Sequence, residues 1–105
     1  MTERAWKRTE RGVARVMGGE RAPVNGRGAG SDVLHDRFAI EVKDRGDVPE
    51  WIRNAIKQAE TARYVEDKSA ALVILHMPGQ HIGSSLAVLK LRDLMRILME
   101  GGDSG

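Results

Sequence analysis

Three side chains in the first half of the chain have types and spacing suited to chemistry at phosphorus. They are Asp32 and, after eight intervening residues, the Glu41 and Lys43 of Glu41-Val42-Lys43. In a strand, residues two apart point the same way at roughly 6.5–7 Å, so Glu41 and Lys43 share a face and can act on one phosphate. An Asp32 on the neighbouring strand of a hairpin comes within reach of Glu41, and two such carboxylates repel unless a cation sits between them. Mg²⁺ meets that need, because it takes oxygen ligands at roughly 2.0–2.1 Å and keeps several waters. Asp32, Glu41 and the carbonyl of Val42 make a sufficient protein half-shell, and Mn²⁺ is an expected substitute. Such an ion polarises a scissile phosphate and acidifies a bound water, while Lys43 orients that water or stabilises developing charge. The implied reaction is phosphodiester hydrolysis. The same short pattern also describes an ordinary exposed strand face with a surface ion pair, and spacing alone does not separate the two.

Elements that position these residues follow from periodicity. Trp6, Val13, Val16 and Met17 recur at helical spacing and predict a helix over Thr2–Met17, capped by Thr2 and ended by Gly18-Gly19. Glu10 lies on or beside its inward face, where a carboxylate is costly unless compensated. The segment GGERAPVNGRGAG (18–30) predicts a loop or a short hairpin of irregular strand. It lacks the GK[ST] ending of a nucleotide-cradling loop, so no nucleotide cofactor is expected. Alternation of Phe38, Ile40 and Val42 with Ala39, Glu41 and Lys43 predicts a strand over 38–43, and Asp32-Val33-Leu34 a short strand before it, joined by a His35-Asp36 turn. Pro49 opens a second helix reaching about Tyr64, with Ile52, Ala55, Ile56, Ala59 and Ala62 inward and Gln58 bordering that stripe. Ala70–His76 is apolar enough for a central strand covered on both faces. Leu86–Leu89 predicts another strand, and Leu91, Leu94, Met95 and Leu98 a last helix. The expectation is one α/β domain over 1–100, a small mixed sheet flanked by helices, with a disordered tail over 101–105.

Composition narrows the function classes. The chain has 105 residues, 41% hydrophobic and 30% charged, enough for one core but not two. A domain this small is expected to pair with a second copy. With no cysteine, thiolate metal sites and cysteine nucleophiles are excluded, and a reducing, cytoplasmic compartment is expected. No segment predicts a membrane span. Net charge is +2, but residues 1–30 carry seven Arg/Lys against three Glu. That surplus suits either a solvated helix face or a phosphate-contacting surface. His35, His76 and His81 lack ligand spacing and are expected at surfaces or strand ends.

Taken together, KRTERGVARVMGG, PVNGRGAG, SDV, FAIEVKDR and PEWIRNAIKQAE resemble the Hjc-type Holliday junction resolvases of archaea and their phage-encoded relatives, within the PD-(D/E)XK nuclease superfamily. The similarity spans about Arg8 to Leu94. It implies a restriction-endonuclease-like core in which Asp32 and Glu41 are metal ligands, Lys43 is the catalytic lysine, Glu10 is a helix carboxylate near the metal, and Gln58 is an additional polar catalytic residue. Asp32 follows Ser31 where the superfamily pattern has proline, and Asn25 stands where related loops often carry serine.

The resulting expectation is a Mg²⁺-dependent endonuclease of branched DNA, acting on four-way junctions as a homodimer in recombination and repair. Arg8, Arg11, Arg15, Arg21, Asn25, Arg27 and Arg45 are the expected DNA contacts, mostly sequence-independent. The alternatives are a related nuclease of flaps, nicked duplex or single strands, and a catalytically silent DNA-binding module of the same fold.

Overall fold

A computed structural model of the chain describes residues 4–22 and 30–101. The described residues form three α-helices, one short 3-10 helix and two small antiparallel sheets, a mixed helix and strand architecture. Its internal contacts divide it into two compact units, Met1–Gly46 and Asp47–Gly105. Among the described residues no helix is long and apolar enough to cross a membrane.

The first unit is built on helix α1 (Ala5–Met17) packed against strands β1 (Glu20–Arg21) and β2 (Val33–Leu34). The helix begins later than its periodicity predicts, after Arg4, which gives no side-chain cap; Thr2 lies outside the described residues. It ends as expected. Gly18 adopts the left-handed conformation at φ 73°, and the Gly19 N–H donates to the Ala14 carbonyl at 2.8 Å. A residue without Cβ takes that conformation at least cost. The buried face also differs from expectation: Ala14 and Met17 are buried, whereas Val16 is 53% exposed. Val13 and Ala14 lie three and four residues after Glu10, and Met17 seven after it, so these four share one helix face. Val16 falls on its flank.

β1 and β2 pair antiparallel, with Glu20 opposite Leu34 and Arg21 opposite Val33. Thus the loop predicted over 18–30 opens with a short strand. Its middle, residues 23–29, contains Asn25 and Arg27 and lies outside the described residues. The strand predicted over Phe38–Lys43 is reduced to an isolated bridge between Ile40 and Val33. The Ile40 carbonyl accepts from the N–H groups of Asp32 at 2.7 Å and Val33 at 3.4 Å. β2 is only two residues long, so a partner for a longer ladder runs out. Val33, bonded on both sides, is the unit's fully buried side chain.

In the second unit α2 (Glu50–Glu66) packs on β3 (Val73–Leu75), which pairs antiparallel with β4 (Leu86–Val88), and α3 (Leu91–Gly101) follows. Pro49 precedes α2 as expected, and Asp67 closes it at φ 55°. Ile52, Ala55, Ile56 and Ala59 are partly buried, but Ala62 is exposed and Arg63 takes its place in the stripe. The apolar run Ala70–His76 is not a central strand covered on both faces. β3 pairs with β4 alone among the described residues, and Leu72 and Ile74 are 52% and 54% exposed. Gly101, expected in the tail, belongs to α3, and the rest of that tail, 102–105, lies outside the described residues. Asp93 in the first turn of α3 is 4% exposed and lies 3.1 Å from Arg96 Nη2, which also donates to the Ser69 carbonyl.

Among the described glycines, Gly19 has the closest neighbours. A Cβ there would lie 2.3 Å from the Leu34 carbonyl oxygen, closer than unbonded atoms approach. Gly19→Ala should therefore push α1 and β2 apart and cost about 1–3 kcal/mol, the usual penalty of overpacking. A urea midpoint equal to that of the wild type would show that the turn absorbs the methyl group.

Candidate active site

Beyond Ile40 the chain leaves the sheet, yet the donor two residues on is held. The Val42 N–H donates to Asp32 Oδ2 at 2.6 Å. Asp32 thereby works as a side-chain continuation of β2, accepting from the neighbouring segment where the backbone ladder has stopped. Its own backbone is fixed on both flanks, because its N–H donates to Ile40 and its carbonyl accepts from Ala22 at 2.9 Å. A carboxylate held this way brings its charge beside the backbone of Glu41-Val42-Lys43 and keeps Oδ1 for another partner.

Glu41 and Lys43 do share a side of their segment: Glu41 Oε2 lies 3.2 Å from Lys43 Nζ. Both side chains are well exposed, at 59% and 63%. An exposed pair of this kind contributes under about 1 kcal/mol, so it does not lock either group against a new partner. Beside Glu41 an open pocket of ≈ 220 Å³ is lined by Gly30, Ser31, Ala39, Ile40 and Glu41.

Glu10 is compensated by a guanidinium. Its Oε1 lies 2.8 Å from Arg21 Nε, and the two side chains are only 13% and 20% exposed. Arg21 also lies over the Trp6 ring at 5.6 Å from its centroid. This ion pair accounts for a carboxylate on the inward row of α1, because β1 delivers the countercharge across the Gly18-Gly19 turn. Arg21, one of the expected DNA contacts, is thus partly buried and engaged, although its Nη2 is buried without a hydrogen-bond partner.

Arg8, Arg11 and Arg15 are exposed. Their spacing of three and four residues puts them on one face of α1, away from the row that contains Ala14 and Met17. Arg45 is exposed as well, just beyond Lys43. Gln58 is an exposed residue of α2, in the second unit. Two of the three histidines make local contacts. His35 Nδ1 accepts from the Arg37 N–H at 3.0 Å and its ring lies 5.2 Å from that of Phe38, while His76 Nε2 donates to the Gln80 carbonyl at 2.8 Å.

One contact had no signal in spacing. Thr9 Oγ1 donates to Asp44 Oδ2 at 2.7 Å, tying α1 to the residue after Lys43. Among the described residues no group of three or more His, Asp or Glu side chains forms a metal cluster. A two-carboxylate site is still chemically adequate for a hard cation that keeps most of its waters. Asp32 keeps an oxygen uncommitted to Val42 and Glu41 is exposed, so both carboxylates are chemically available to such an ion. Glu10 would first have to leave Arg21. Comparison of the chain with protein-family models, with curated proteins and with solved structures finds no match in any of them.

The double duty of Asp32 can be separated. Asp32→Asn keeps an oxygen that can accept from Val42, whereas Asp32→Ala keeps none. Hydrogen exchange at the Val42 amide should stay near wild type in the first variant and accelerate about tenfold or more in the second, as expected for loss of a charge-assisted bond. Equal exchange in all three proteins would mean that Asp32 does not hold this segment.

Proposed function

We propose that this protein is a divalent-metal-dependent endonuclease of the PD-(D/E)XK type with a restriction-endonuclease-like core, in which Asp32, Glu41 and Lys43 are the central catalytic groups. The observation that carries the reading is the 2.6 Å hydrogen bond from the Val42 N–H to Asp32 Oδ2. It joins the aspartate to the very segment whose two flanking side chains are an acid and an amine on one side. The sequence resemblance to Hjc-type junction resolvases over Arg8 to Leu94 supplies the substrate class, four-way DNA junctions.

In this reading Asp32, Glu41 and the Val42 carbonyl would hold Mg²⁺, or Mn²⁺ in its place. The ion supplies Lewis-acid activation of the phosphate and of an attacking water. Lys43, held to Glu41 only by an exposed ion pair, would neutralise charge building on the non-bridging oxygens of the scissile phosphate. Glu10 would act from α1 through water or after parting from Arg21. The exposed Arg8, Arg11, Arg15 and Arg45 bind phosphates without reading sequence, and Asn25 and Arg27 extend that surface. Two nicks across a two-fold junction require a two-fold pair of sites, which an isologous homodimer provides. Exposed Trp51, Val65, Ile82 and Met99, at 61%, 75%, 76% and 74%, offer apolar surface for such pairing.

Incubation with Mg²⁺ and end-labelled four-way junction, flap, nicked duplex and linear duplex tests this reading. Symmetric paired nicks in the junction are expected, with cleavage lost on chelation. Asp32→Asn and Glu41→Gln should lower the rate by at least about 10³-fold, the scale of losing transition-state charge stabilisation, while DNA affinity stays at or above that of the wild type. Cleavage of flaps alone would move the substrate within the same superfamily. Binding without cleavage of any DNA would leave a silent binding module.

A further inference from the structure

Two side-chain hydrogen bonds bracket Glu41-Val42-Lys43. On one side Val42 donates to Asp32, and on the other Asp44 accepts from Thr9. Residues 41–49 belong to no strand or helix, so ladder bonding does not fix where Lys43 lies relative to α1. The Thr9 hydroxyl has a single proton. Its distance to Asp44 Oδ2 is 2.7 Å and to the Ala5 carbonyl 3.2 Å, so the shorter, charge-assisted bond takes that proton. Thr9 also precedes Glu10, whose carboxylate is fixed by Arg21. Consecutive residues of one rigid helix therefore grip the sheet on one side and the chain beyond Lys43 on the other.

We propose that Thr9 is a positioning residue for the Glu41-Val42-Lys43 segment, its hydroxyl docking Asp44 onto α1 so that Lys43 is held in register with the helix carrying Glu10. The structural part stands on the contacts alone; its catalytic consequence rests on the nuclease reading above. Neither Thr9 nor Asp44 touches the reacting atoms in this scheme. Their contribution is to remove the freedom of a segment that the sheet does not pin, and misplacement of a catalytic group by about 1 Å can cost up to ~100-fold in rate.

The experiment uses the full chain with Thr9→Val, which keeps the shape and loses the hydroxyl, Thr9→Ser, which keeps the hydroxyl, Asp44→Ala, and the Thr9→Val/Asp44→Ala double variant. Site-resolved hydrogen exchange is read at Val42 and, as an internal control for α1 and its turn, at Gly19. Thr9→Val and Asp44→Ala should each speed Val42 exchange by about three- to tenfold with Gly19 unchanged, as loss of one surface charge-assisted bond allows. The double variant should be no worse than either single one, and Thr9→Ser should match the wild type. In the Mg²⁺-dependent cleavage assay the same variants should lower kcat by about tenfold with KM for DNA unchanged, again rescued by serine. Unaltered Val42 exchange in Thr9→Val, additive effects in the double variant, or a serine variant as impaired as valine would each overturn the proposal. If the wild type cuts no DNA, the nuclease reading fails and the exchange measurements still decide the role of Thr9.

Discussion

A backbone N–H that leaves a sheet must find another acceptor or remain solvated, and the fate of Val42 organises the first unit. β2 offers two residues of ladder, enough to engage Ile40 but not the segment that follows. The Asp32 carboxylate supplies the missing acceptor at 2.6 Å. A charge-assisted bond of this kind is worth about 1.5–3 kcal/mol when shielded, and less at a partly exposed site. Its structural effect exceeds its energy, because it links the anion that immediately precedes β2 to a segment with acid and amine on one side. Shape and chemistry thus come from the same oxygen atoms.

Helix α1 supports this arrangement from three faces. The row Glu10, Val13, Ala14 and Met17 packs toward the strands, with the charge of Glu10 answered by Arg21 at 2.8 Å. Breaking one member of a pair this far from solvent would strand the other, so each depends on its partner for tolerance on the inward side. Thr9 occupies a flank and reaches Asp44. Arg8, Arg11 and Arg15 occupy the outer face. Separation of the roles also sorts the arginines, since Arg21 is committed to internal neutralisation while the outer ones face solvent.

Much of this is legible in the sequence, and the exceptions have identifiable causes. The i, i+2 relation of Glu41 and Lys43 depends on local chain geometry, and the two side chains do meet at 3.2 Å. The strand predicted from Phe38, Ile40 and Val42 depends on a partner, and alternation carries no information about the partner's length. The misfit of Glu10 was visible from helical spacing, but not its resolution, because Arg21 sits eleven residues away across a turn and reaches back only after β1 forms. Ala14 displaces Val16 from the buried face because position on the row outweighs side-chain size. In the second unit the apolar run Ala70–His76 suggested cover on both faces, yet hydrophobicity does not supply strands, and among the described residues β3 pairs with β4 alone. The Thr9–Asp44 bond spans 35 residues and follows no periodicity at all.

These causes bear on how a metal would enter. Each partner of the three acidic side chains nearest the proposed chemistry is one that a cation must either displace or work around. Displacing Lys43 from Glu41 is cheap, because both groups are more than half exposed and water takes over their solvation. Asp32 need not be displaced at all, because Val42 uses one oxygen and leaves the other. Displacing Arg21 from Glu10 is expensive, since a partly buried guanidinium with one nitrogen already unpartnered would lose its remaining countercharge. The order of ease is therefore Asp32, Glu41 and then Glu10. Under the proposed nuclease function, that order would make the first two direct ligands and leave Glu10 a water-mediated role.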